Sequence, residues 1–71
     1  MSPDRYAPVE FEVTVLAATE KALLCELRAG RELLEVWIPR SQLLDGTEVE
    51  DRGDAGTLTI PHWLAEEKEL V

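Results

Sequence analysis

The chain is poor in the residues that small proteins use as staples or reagents. Of 71 residues, one is cysteine and one is histidine. Cys25 has no second cysteine to pair with, so an intramolecular disulfide is excluded. A zinc site would need about three or four converging ligands, and these residues do not supply them. No cofactor or metal is therefore expected. Long apolar runs are also absent: nothing approaches the ~20 residues that span a bilayer, and Met1–Tyr6 has no apolar signal core. These features lead us to expect no membrane partner and a cytoplasmic location. Basic residues are scarce too, seven against fifteen acids, for a net charge of −8.

What is present is β patterning. A domain this small buries only about 60% of its unfolded surface, so nearly every apolar strand residue is needed for a thin core. Residues 1–8, with Pro3 and Pro8, have little periodicity and are expected to form a flexible arm, leaving 9–71 as one domain. Val9, Phe11, Val13 and Val15 alternate with Glu10, Glu12 and Thr14, the period of a half-buried strand. Leu23, Cys25 and Leu27 alternate in the same way. Cys25 then reads as a small buried hydrophobe. After the hairpin signal Ala29-Gly30-Arg31 come Leu34, Val36 and Ile38, and Pro39 ends that strand.

Arg40–Leu43 predicts one helical turn, Asp45-Gly46 a turn, Thr47–Glu50 a short strand and Thr57–Ile60 a last strand. Pro61 opens a helix over 61–70, which must dock through Trp63, Leu64 and Leu70 because it is too short to persist alone. The expected fold is mainly β with one short C-terminal helix. The five strands are expected to form a small SH3-like or OB-like barrel, with a curled antiparallel sheet as the alternative.

Catalytic chemistry has little to stand on. His62, at the first turn of a short helix, reads as a surface or packing residue rather than a catalytic base held in a cleft, and the acids near Glu48 lack the spacing of a calcium loop. No phosphate-binding glycine loop or nucleophile elbow is present, so we expect no enzyme and no catalytic or metal-site residues. Charge says more. Residues 45–71 carry eight acids against Arg52 and Lys68, a net −6, while residues 1–44 carry −2. Such a surface attracts basic protein surfaces and repels phosphate backbones.

Trp37 falls on the outward face of its strand, beside Leu33 and Glu35, unless the terminal helix or the arm covers it. The expected partner-binding residues are Trp37, Glu35, Glu48, Glu50, Asp51 and Asp54. An alternative nucleic-acid site would combine Trp37 with Lys21, Arg28, Arg31 and Arg40 by stacking and phosphate contacts, against the net charge. An edge strand at Thr47–Glu50 could pair two copies, although its charges resemble edge protection, so the oligomeric state stays open.

The segments Val-Trp-Ile-Pro-Arg-Ser-Gln-Leu (Val36–Leu43) and Leu-Thr-Ile-Pro-His-Trp-Leu-Ala-Glu-Glu-Lys-Glu-Leu (Leu58–Leu70) resemble a family of small, largely uncharacterised proteins of bacteriophages and prophages. Those proteins share a Trp-Ile-Pro-Lys-Ser turn and a terminal Ile-Pro-x-Trp-Leu-Ala helix. Here Arg40 replaces the expected Lys. Glu69 replaces an expected Gly, which predicts that the helix runs on towards Val71. The resemblance implies a phage-type origin and a small β fold, and assigns no site. With it, the expected function is a non-enzymatic, acidic protein-binding module of phage or mobile-element type. Its partner would be a nucleic-acid-handling host defence protein that it inhibits, in the manner of an anti-CRISPR. The alternatives are a small single-stranded nucleic-acid-binding barrel and an accessory scaffold in phage recombination or replication.

Overall fold

A computed structural model describes residues 4–71, apart from the side chain of Ala29. Met1, Ser2 and Pro3, part of the expected arm, lie outside the described residues. Four strands form one antiparallel sheet: β1 (Pro8–Ala18), β2 (Ala22–Ala29), β3 (Glu32–Pro39) and β4 (Ala55–Pro61). Their order is β3-β2-β1-β4. A single 3-10 turn, Arg40–Gln42, follows β3, and helix α1 (His62–Glu67) follows β4 directly.

The alternation read from the sequence sets the layers. Val13 and Val15 of β1, Leu23, Cys25 and Leu27 of β2, Ile38 of β3 and Leu58 and Ile60 of β4 are buried on one face. Leu64 and Ala65 of α1 and Val49 from the long connection are buried with them. Phe11, Leu34, Val36, Trp63 and Leu70 pack partly buried against this cluster. The thiol of Cys25 has 0% exposure around it, and burial pushes its pKa up to about 11. β2 and β3 join through Gly30-Arg31, with Gly30 at φ 65° and Ala29 opposite Glu32. Positive φ at the first turn position alone is the pattern of a type II′ turn, whose twist suits a hairpin.

Two expectations are corrected. The sheet has four strands, not five, and it is open rather than a closed barrel. Residues 47–50 do run beside β4, but side chains replace part of the ladder. The Leu44 and Glu48 N–H groups donate to the Thr59 and Thr57 carbonyls, at 2.9 and 2.8 Å. The Thr47 hydroxyl accepts from the Thr59 N–H at 3.0 Å and donates to the Thr59 carbonyl at 3.1 Å. Glu48 Oε1 accepts from the Thr57 N–H at 3.2 Å. Closure would require β3 to meet β4, and this connection already occupies that edge of β4. Gly46 makes the approach possible: its φ is 101°, and a Cβ there would lie 3.2 Å from the Thr59 hydroxyl oxygen.

The helix is also shorter than expected. It ends at Glu67 because Glu69 adopts the left-handed conformation, φ 60°, that was expected of glycine. The Glu69 N–H donates to the Glu66 carbonyl at 3.0 Å and the Leu70 N–H to the Ala65 carbonyl at 2.8 Å. That pair of bonds is the Schellman ending, which turns Leu70 back onto the core. At the other end, Pro61 closes β4 rather than starting the helix. The first helical N–H groups, of His62 and Trp63, donate to the carbonyls of Ala7 and Arg5 at 2.9 and 2.8 Å. Residues 5–7 thus satisfy donors that a short helix would otherwise leave unpaired.

Candidate protein-binding face

One face of the sheet carries the core, and its reverse is left largely open. Side chains of opposite parity to the core residues line that reverse face. The register sets Trp37 opposite Leu24 and Leu24 opposite Ala17. In the next outward-facing row Glu35 stands opposite Glu26, Glu26 opposite Thr14, and Thr14 opposite Ala55. Leu33 then stands opposite Arg28. Trp37 is 46% exposed and Leu33 59%, against 0% for Ile38 between them and the strand end. Neither the helix nor residues 4–7 cover Trp37. A shallow depression lined by Glu12, Thr14, Glu26, Arg28, Leu33 and Ala55 crosses the middle of this face.

The electrostatics of the face are uneven. Glu26 and Glu35 are directly opposed like charges, an arrangement that destabilises a strand pair. Glu12 lies on the same face, its Oε1 accepting from the Thr57 hydroxyl at 3.0 Å. Arg28 is the cation of the depression. Among the described residues no Lys or Arg side chain pairs with a carboxylate, so Arg28 forms no ion pair with these; the one close contact of this kind is His62 Nδ1 to Glu66 Oε1, 2.7 Å apart on α1. Sequence reasoning named Glu35 and missed Glu26 and Glu12. The signal for Glu26 was available: a two-residue turn at Gly30-Arg31 fixes the pairing, and counting back from it sets Glu26 against Glu35.

The other expected residues separate into groups. Trp37 and Glu35 share β3, one edge of the sheet, whereas Glu48 seals β4, the opposite edge. Asp54 works inside its own loop, its Oδ2 accepting from the N–H groups of Glu50 and Asp51, both at 2.9 Å. Those bonds, from Asp51 first and Glu50 second, hold the Asp54 carboxyl below its ordinary value of 3.8. The loop is tied to the bulge in β1, since Val15 N–H donates to Asp54 O and Gly53 N–H to Val15 O, each at 2.8 Å. Glu48 and Asp54 therefore hold the fold together, and their carboxylates are already engaged.

The basic residues likewise divide into two pairs. Ala22 stands opposite Pro39, which places Lys21 and Arg40 at one end of the β2–β3 hairpin. Arg40 is tied there by its Nε, which donates to the Thr19 carbonyl at 2.8 Å, and by its N–H, which donates to the Lys21 carbonyl at 2.8 Å. Arg28 and Arg31 belong to the other end, roughly 23 Å away at ~3.3 Å per strand residue. Glu26 and Glu35 lie between the pairs. Among the described residues no helix is long and apolar enough to cross a membrane, and no three His, Cys, Asp or Glu side chains converge as a metal site would need. No family model matches the chain, and no curated protein or solved structure matches it.

Proposed function

We propose that this chain is a non-enzymatic protein-binding module whose open sheet face receives a basic protein surface. One observation carries the proposal. The uncovered face sets Trp37 and Leu33 on either side of the opposed carboxylates of Glu26 and Glu35. Exposed aromatic anchors are favoured at interface centres. A like-charge pair that costs folding energy is relieved when a partner brings Lys or Arg between the two carboxylates. A single-stranded nucleic acid would instead have to cross those carboxylates to reach both pairs of basic residues, and they repel its phosphates. Together with the resemblance to phage and prophage proteins, the face suits a host protein that itself handles nucleic acid and so presents cations. In this proposal the module occupies that basic surface and inhibits a defence protein, as an anti-CRISPR would.

The test is capture from lysate of the host cell by the tagged wild-type chain and by Trp37→Ala/Glu35→Lys, with identification of what is retained. The expected result is a basic protein held by the wild type and lost by the variant, while both chains melt cooperatively. The same protein captured equally by the two chains refutes the proposal. Reversing Glu48 or Asp54 would be a poor substitute, because each accepts backbone hydrogen bonds that the fold needs.

A further inference from the structure

The two edges of the sheet are treated differently. Residues 44–48 seal the edge of β4 with backbone and side-chain bonds. β3, at the other edge, pairs with β2 and, among the described residues, with nothing else. Proteins usually blunt such an edge with a bulge, a central proline or outward charges. β3 has neither a bulge nor a central proline: its register with β2 runs from Ala22–Pro39 to Ala29–Glu32 without a shift, and Pro39 is its last residue. Its charges, Glu32 and Glu35, are both acidic, so they disfavour an acidic strand and admit a basic one. Eight residues of backbone are thus open to one more strand.

We infer that this edge takes an added strand from the partner, an extended segment in which Lys or Arg alternates with apolar residues. The inference rests on the reading of the face as a protein-binding surface, and specifies how that surface is engaged. On an added strand, the residue opposite Glu35 would meet the Glu26–Glu35 row and needs a cation. Its neighbours in sequence would face the core side, opposite Leu34 and Val36, which are only partly buried and would gain cover from apolar side chains.

A second copy of the chain fits less well. Pairing β3 with itself antiparallel, with Leu33 opposite Trp37, sets Glu35 against Glu35 and lines up four carboxylates across the joined sheets. Moving the centre to Val36 sets Glu35 against the other copy's Trp37. Moving it to Leu34 sets Glu35 against Leu33. Centring on Leu33 does set Glu35 against the other copy's Arg31, but it pairs only residues 31–35 and leaves 36–39 without a partner strand, and both copies carry −8. Backbone pairing supplies affinity in this mode, and alternate side chains supply specificity.

The experiment uses the full chain, labelled with nitrogen-15, and a capped eight-residue peptide alternating Val and Lys; a Val/Glu peptide serves as control. Amide hydrogen exchange is followed with and without peptide. The expected result is at least tenfold slower exchange at every second residue of β3, the amides not already donated to β2, with the Lys peptide only. Glu35→Lys keeps the same open edge, and should weaken the Lys peptide about tenfold while admitting the Glu peptide. Three results would overturn the inference: no binding of the Lys peptide at millimolar concentration, shifts at Trp37 and Leu33 without new amide protection, or protection that grows with protein concentration alone. The second leaves the face as a binding surface and removes only the added strand. If lysate capture survives Trp37→Ala/Glu35→Lys, the broader reading fails instead.

Discussion

Reversing one of the two opposed carboxylates, Glu26 or Glu35, should make the protein more stable and less able to bind. Their register places them directly across β2 and β3, so their Cβ atoms are about 4.5–5.5 Å apart on the open face. Cross-strand charge pairs contribute about 0.2–1 kcal/mol in either direction. Glu26→Lys or Glu35→Lys removes a repulsion worth about 0.5 kcal/mol and adds an attraction of similar size, a gain of about 1 kcal/mol. For a domain this small that raises Tm by about 4–8 °C. The double reversal restores a like-charged pair and should fall back near the wild type, which makes the coupling between the two changes about 2 kcal/mol.

Urea unfolding followed by circular dichroism measures this, with linear extrapolation of each stability. Glu20→Lys, in the exposed β1–β2 turn, is the control for reducing overall negative charge. At 1 M salt, where screening acts over about 3 Å, the differences should shrink. A double reversal as stable as either single one would refute the assignment of strain to this pair. So would single reversals no more stabilising than Glu20→Lys.

Three further outcomes follow from local geometry. Glu69→Gly should stabilise the chain by about 0.5–1 kcal/mol, because a left-handed conformation costs a non-glycine residue about 1–2 kcal/mol and glycine gives part of that back as unfolded-chain entropy; a lowered Tm would contradict the Schellman ending. Asp54, with its folded value held below 3.8, contributes stability above its unfolded value that is lost as pH falls through the lowered folded one. The stability gap between wild type and Asp54→Asn should therefore be widest near pH 5 and narrow towards pH 2.5, and a gap independent of pH would count against the loop geometry. Cys25 is buried with its thiol pushed up to about 11, so Ellman's reagent at pH 8 should react only as fast as the chain opens; rapid labelling of the native protein would show the core to be accessible.

Much of the sheet was legible in the sequence, and the misses have identifiable causes. Period-two alternation located β1, β2, β3 and β4 because one face of each is buried, which leaves a mark on every second residue. The fifth strand failed because Thr47 and Glu48 satisfy β4 with a hydroxyl and a carboxylate. Alternation looks the same whether the backbone or the side chain makes the bond. The helix end failed because propensity favours glycine at a left-handed position, and here the packing of Leu70 on the core outweighs the strain at Glu69. Within the site, Trp37 and Glu35 were found from parity alone. Glu48 and Asp54 were chosen for their charge, which does not reveal whether a carboxylate is free or already accepting backbone protons. Glu26 was missed for want of carrying the hairpin register back through the Gly30-Arg31 turn.

The unequal edges also fix a valence. A sheet open on both sides can add strands at either end, and such additions propagate into fibres without a natural stop. This sheet has one open side, since residues 44–48 occupy the other. The chain itself can join one strand and then offers no second place for another. Each chain therefore contributes a single point of attachment, and the connection between β3 and β4 serves as a terminator carried within the chain itself.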